Sequence, residues 1–372
     1  MADWRRLRSG YGVSLYIYGM RNTLLFTVFF TLTLLLGCSQ EPEQFIMTVN
    51  GPIPATALGT TLTHEHVLVD FIGADSTGYH RWDKQEVVKQ VIPYLSEIQE
   101  HQVSALMECT PAYLGRDPWI LKALSEQSGM HLITNTGYYG AHNNRFLPSG
   151  FFELTTEELA QIWVDEFENG IEGSGVRPGF IKIAVDGSDT LSEEHLKLIS
   201  AAALTHQKTG LVIASHTGPD APAFEQISVL QAHGLEPSCF IWVHAQGGSL
   251  EGNIRAAQLG TWISLDNVSL EREVGSLYDV NWYADRILKL KEAGYLARIL
   301  ISHDAGWYKP GEVNGGSFRG FTGIFTSLIP ALKERGLSGE DIKQLMEINP
   351  RNAFSLRIQI YSGHFADGRE TQ

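Results

Sequence analysis

Residues 58–66 read Leu58-Gly59-Thr60-Thr61-Leu62-Thr63-His64-Glu65-His66. A glycine breaker followed by a threonine-rich run predicts a strand over residues 60–66. Side chains on a strand repeat every two residues, so His64 and His66 leave it on the same face. Two imidazoles projecting together from a strand end are half of a metal site. An isolated pair of this kind is more often a surface or core pair, so its meaning depends on what surrounds it.

Working outward, seven further apolar runs follow at residues 103–110, 132–138, 180–185, 211–216, 240–244, 262–268 and 298–303. Most are dense in Ile, Val, Leu and Phe without alternation, as strands buried on both faces of a parallel sheet are. Helix-length segments separate them, expected at 83–102, 156–169, 192–208, 285–293 and 325–335. Thr155-Thr156-Glu157-Glu158 and Ser192-Glu193-Glu194 read as caps followed by first-turn acids. Glycines at 170, 210, 260, 294 and 336 stand where helix ends favour a left-handed residue. Eight strand–helix units in one run predict an α/β protein with a (β/α)8 TIM barrel rather than an open doubly wound sheet.

Active sites of such barrels lie at the carboxyl ends of the strands. Those ends carry His64 and His66, His216, His244, and His303-Asp304, with Lys182 inside the fourth strand. His101, His195 and His206 fall instead on expected helix surfaces. A lysine among Phe180, Ile181, Ile183 and Ala184 buries a costly charge unless it is paired, with Asp186 for example, or chemically changed. A carbamate on that lysine would be an anionic oxygen donor able to bridge two cations.

With these residues in this order, the chain resembles the phosphotriesterase family of the amidohydrolase superfamily, including its lactonase-like members. The resemblance covers roughly residues 48–358. It rests on His64, His66, Lys182, His216, His244 and Asp304, together with Gly115-Arg116-Asp117, Thr136-Gly137-Tyr138-Tyr139 and Asn349-Pro350-Arg351-Asn352. It implies two divalent metal ions, zinc by ligand type, with manganese, cobalt or iron as alternatives. His64, His66 and Asp304 would hold one ion, His216 and His244 the other. N6-carboxylated Lys182 and a hydroxide would bridge them, and the hydroxide would attack a carbonyl carbon or phosphorus. Asp304 would move the proton toward the leaving group, and Tyr139 would stand near the metals.

The chain also departs from the family pattern. His244 is followed by Ala245-Gln246-Gly247-Gly248, and the seventh strand ends Leu265-Asp266-Asn267-Val268. Neither Gly247 nor Asn267 can transfer a proton, so the histidine–aspartate relay of phosphotriesterases is not expected. The arginine of many lactonase-like members is missing at Asn267. Gln246, Asn267, Arg272 and Arg319 are the candidate substrate contacts, and the loops at 269–282 and 306–321 are expected to set specificity. A lactone or carboxylic ester is therefore the expected substrate, with a phosphotriester or amide as alternative. No Gly-x-Ser-x-Gly occurs, and strand alternation turns His303 away from Ser302 and Asp304, which argues against a serine hydrolase. A ligand-binding lipoprotein with structural metals is the non-enzymatic alternative.

The first residues read differently from the rest. Four arginines at 5, 6, 8 and 21 precede an apolar stretch over 24–36 that runs into Leu35-Leu36-Gly37-Cys38. This fits a lipoprotein-type signal over 1–37, with Met20 as an alternative start, and lipid attachment to Cys38. A tether over 38–47, a barrel domain over 48–358 and a tail over 359–372 complete the expected organisation. These readings place the protein on the periplasmic side of a bacterial envelope, anchored to the membrane through Cys38. The formal net charge is −14, and loss of a leader with four arginines and one aspartate makes it more negative, which disfavours nucleic acid as a partner. Cys109 and Cys239 are far apart in sequence and imply no disulfide framework. The resemblance permits a homodimer without requiring one.

Overall fold

The computed structural model describes residues 44–273 and 275–357. The leader, Cys38 and the tail at 359–372 lie outside them. Eight staves follow in chain order: β1 (Thr60–Leu68), β2 (Val103–Glu108), β3 (His131–Ile133, resuming as Asn135–Thr136), β4 (Phe180–Ala184), β5 (Ile213–His216), β6 (Phe240–Val243), β7 (Trp262–Leu265) and β8 (Ile299–Ile301). Each pairs in parallel with the next. The ring closes where β8 meets β1. There Thr63 Oγ1 donates to Ile301 O at 3.3 Å, His64 N to Ser302 Oγ at 2.9 Å and Asp304 N to His64 O at 3.0 Å. The fold is a TIM barrel, as the spacing of the apolar runs predicts.

The helices between the staves start where the sequence supplies a cap. Thr155 and Glu158 form a capping box at the head of Thr156–Asn169, and Ser192 accepts from His195 N at the head of Glu193–Thr209. The helix expected at 285–293 begins earlier, at Val280, because Asp279 accepts from Trp282 N and caps it there. His195 is not on a surface. It is buried, and its Nε2 donates to Gly140 O at 3.1 Å.

Residues 44–47, expected to belong to the tether, are part of a strand. Gln44–Thr48 pairs antiparallel with Gly51–Pro54 and with Leu356–Arg357. Ile46, Leu58 and Phe354 join Met107, Phe180 and Trp262 in one cluster that plugs the lumen at the amino ends of the staves. The opposite end is left for chemistry. Along β4, Phe180, Lys182 and Ala184 face the lumen, whereas Ile181 and Ile183 pack outward in the larger core.

β1 contains an irregularity that positions the site. Its register with β2 passes from Leu62–Leu106 to Glu65–Glu108, three steps on one strand against two on the other. Leu62 and Leu106 face the helices. The extra residue in β1 switches the alternation, so His64 and His66 turn into the lumen and Glu65 faces outward. Glu65 is wholly buried and clamps β8. One of its oxygens accepts from Ser302 Oγ at 2.7 Å, His303 N at 2.9 Å and His303 Nδ1 at 2.7 Å, and the other from Ala305 N at 3.0 Å.

Removing that acceptor leaves several buried donors unpaired, each costing on the order of 1–3 kcal/mol. Glu65→Ala is therefore expected to lose about 3 kcal/mol or more of stability, measured by urea denaturation of the full chain. A loss below about 1 kcal/mol would contradict the clamp.

Candidate metal centre

The carboxyl ends of the staves bring His64, His66, Tyr139, Lys182, His216, His244 and Asp304 to the lining of one cavity of about 140 Å³. Two of these positions require unusual backbone. Val243 faces the lumen, so regular alternation would send His244 outward; instead His244 has φ +60°. Asp304 has φ +52°. Non-glycine residues rarely adopt this left-handed conformation, and it is found where surrounding contacts enforce it. Asp304 N is tied to His64 O, and His244 N donates to Asp266 at 3.1 Å.

Each imidazole has its Nδ1 occupied. His64 and His244 share one carboxylate: His64 Nδ1 lies 2.9 Å from Asp266 Oδ2, and His244 Nδ1 2.7 Å from Asp266 Oδ1. His66 Nδ1 meets Thr110 Oγ1 at 2.8 Å, and His216 Nδ1 meets the Tyr139 hydroxyl at 3.1 Å. Asp266 also accepts from Ser264 Oγ at 2.6 Å and Gln246 Nε2 at 3.4 Å. An ionised carboxylate only accepts, so His64 and His244 donate through Nδ1 and keep Nε2 as a lone pair.

The electrostatics favour a free Nε2 lone pair at three of the four imidazoles. Burial lowers the pKa of His66 to about 3, helped by the Lys182 charge, and carries His216 well down too. Burial also outweighs Asp266 at His64 and lowers its pKa. At His244 burial acts the same way, but the charge and shorter hydrogen bond of Asp266 prevail and raise the pKa. Despite its own burial, Asp266 is held far below the usual carboxylate range by His244 and His64. Burial raises Asp304 and lowers Lys182. Among the described residues Lys182 forms no ion pair. Asp186, its candidate partner, accepts from His142 N and Asn143 N instead.

The donor set suits a cation. Asp304 Oδ1 lies 3.0 Å from His66 Nε2 and 3.6 Å from His64 Nε2, and the three ligand atoms form a compact group. Two ligands 2.0–2.1 Å from a tetrahedral ion stand about 3.4 Å apart, so these spacings match. The His216 and His244 rings stand 4.4 Å apart, and both line the cavity with Lys182. A second compact group, His64, His244 and Asp266, uses the bonds that orient the two rings, so Asp266 acts as their holder.

Comparison with known proteins agrees. The family model described as "Phosphotriesterase family" matches residues 44–354. The chain belongs to the phosphotriesterase family. It is 28% identical over 297 residues to the phosphotriesterase homology protein of Escherichia coli, covering 80% of this chain and 98% of that protein. It is 27% identical to the aryldialkylphosphatase of Saccharolobus solfataricus, covering 82% and 97%. It is 25% identical to the N-acetyltaurine hydrolase of Rattus norvegicus, covering 82% and 96%. The protein is thus a hydrolase of this family.

Within the phosphotriesterase-family barrel, the four candidate substrate contacts do not reach the cavity wall. Gln246 is buried with its amide against Asp266, exchanging bonds with both Oδ1 and the Asp266 backbone N–H. Arg319 donates to Asp304 O and lies over the Trp307 ring at 4.4 Å. Arg272 turns back on its own loop, donating to Leu277 O at 3.4 Å. Asn267 is half-buried past the end of β7. The wall is made instead by Val69, Phe71, Leu114, His142 and Trp307. Sequence reasoning also missed Asp266 and Thr110. Counting alternate residues from Trp262 through Ser264 to Asp266 is the signal that would have found the first.

Because Asp266 orients two rings, Asp266→Ala is expected to weaken metal binding about 10–100-fold, read by chelator competition. Acid opposes both binding and folding. The folded pKa of His66 is about 3 against an ordinary 6.5, so the unfolded chain takes up the proton first. The contribution is complete above about pH 6.5 and is lost as pH falls toward 3. Thermal melts of metal-free protein should show this decline, and His66→Gln should flatten it.

Proposed function

We propose that the protein hydrolyses a small uncharged carboxylic ester or lactone at this centre. The observation that carries the reading is the cavity wall. Outside the ligand cluster it is Val69, Phe71, Leu114 and Trp307 with His142, and Lys182 is its only lysine or arginine. Outside the ligand cluster this wall offers a substrate body apolar contact and no lysine or arginine side chain to pair with a fixed negative charge. Arg272 and Arg319 lie outside this wall and donate to backbone carbonyls.

His64, His66 and Asp304 would hold one divalent ion and His216 and His244 a second, with Lys182, carboxylated on Nζ, as the shared anionic ligand. Such ions, zinc by the nitrogen-rich donor set, supply polarisation of the substrate oxygen and a lowered pKa for a shared water. Asp266 and Thr110 fix the rings that would bind them. Asp304 would accept a proton and return it to the departing oxygen. Tyr139 closes one side of the cavity through its hydroxyl contact with His216. A phosphotriester is equally uncharged. The carbonyl reading is favoured over it because Gly247 and Asn267 stand where a proton-transferring pair would be needed. The arginine-led apolar leader ending in Cys38 supports a lipid-anchored protein facing the periplasm.

Metal-loaded protein assayed on matched lactones, carboxylic esters and phosphotriesters should give the higher kcat/KM on the carbonyl substrates. Asp304→Asn should lower it about 10²–10⁴-fold. A preference for phosphotriesters would overturn the substrate class, and unchanged rates in Asp304→Asn would overturn the centre.

A further inference from the structure

We infer that His142 is the specificity contact of the cavity, donating a hydrogen bond to a second oxygen of the substrate, an ether or carbonyl oxygen set a few bonds from the scissile group. The inference rests on the preceding reading only for which bond is cleaved. Every other polar residue of the cavity lining belongs to the ligand cluster or, like Tyr139, is bonded to it, except Trp307, whose indole N–H is buried out of reach without a partner. His142 stands apart, exposed at the mouth. A substrate with its scissile group at the cluster and an apolar body against Phe71, Leu114 and the ring of Trp307 meets one further accessible polar group, and it is this imidazole.

The ring is held for the purpose. It stacks on Tyr139 with 13° between planes and 6.2 Å between centres, and it stands edge-on to Phe146 at 6.1 Å. Its backbone is held as well. His142, Asn143 and Asn144 have φ of +59°, +55° and +61°, three successive non-glycine residues in the left-handed region. L-residues visit that region singly, so a run of three persists only under constraint. Asp186 provides the constraint by accepting from His142 N at 2.7 Å and Asn143 N at 3.3 Å. The start of the turn is fixed by Gly140 N donating to Ala184 O at 3.1 Å, and by Asn144 N donating to Gly140 O at 3.2 Å. Asp186 is not itself part of the cavity lining and is a positioning residue.

The test is a pair of isosteric esters, one with an ether oxygen in the side chain and one with a methylene in its place. In the wild type the ether ester should have about tenfold higher kcat/KM, the worth of one hydrogen bond. His142→Phe keeps the stacking ring and removes the donor, and should bring the ratio close to one. Asp186→Ala should do the same without altering the ring. Asp186→Asn, which retains an acceptor oxygen, should recover most of the preference. Binding of the matched non-cleavable ketones, measured by calorimetry, should show the same ratios without turnover. A wild-type ratio near one overturns the inference, as does a ratio kept in His142→Phe while both rates fall together. Should the wild type cleave phosphotriesters in preference to esters, the substrate class fails separately, and the ratio is read on the matched phosphotriester pair.

Discussion

The centre depends on one buried carboxylate. Asp266 takes a hydrogen bond from each of two imidazoles, and this fixes both tautomers and both ring directions. A lone buried anion would be very costly. Here Ser264, Gln246 and a backbone N–H join the two rings, so the charge is held by five donors. A cation approaching the lone pairs of His64 and His244 would meet ligands whose orientation has already been settled by folding. Without Asp266 both rings would be free to turn, and the cavity would lose two of its directed nitrogens at once.

The scaffold reaches this arrangement by departing from regularity at chosen places. An extra residue in β1 turns His64 and His66 inward, a left-handed turn redirects His244 after β6, and another places Asp304 after β8. The disturbed backbone is repaid by side chains. Glu108 accepts from Val67 N, beyond the irregularity in β1, and from Thr110 N, just past the end of β2. Burial lifts its pKa to about 7 in spite of those bonds. Gly306, with φ +94°, lies so near His66 O that a side chain there would collide with the carbonyl.

Much of the barrel was legible because parallel strands buried on both faces leave unbroken apolar runs, and eight of them in one chain admit few other topologies. The helix at 156–169 was legible to the residue because its cap and its first-turn acids are local signals. The ligand side chains were legible because they recur at the carboxyl ends of those runs. What escaped was geometry that one-dimensional periodicity cannot carry. The strand-seven motif was read as a departure at Asn267, while the neighbouring Asp266 is the residue that organises the rings. Gln246 was expected at the substrate and serves Asp266. His195 was expected on a helix surface, where a histidine outside a site usually sits, yet it is buried and bonded to the carbonyl of Gly140 in a distant loop. These roles arise from contacts between residues far apart in the chain, and no local pattern records them.

One feature of the seam reaches beyond catalysis. His66 belongs to the first stave and Asp304 follows the last, so the 3.0 Å approach of this carboxylate to this imidazole spans the join that completes the ring. An ion held there would work as a rivet between the two ends of the sheet, and by mass action it would stabilise the closed ring over any opened one. Metal supply would then govern how long the molecule survives proteases as well as how fast it turns over.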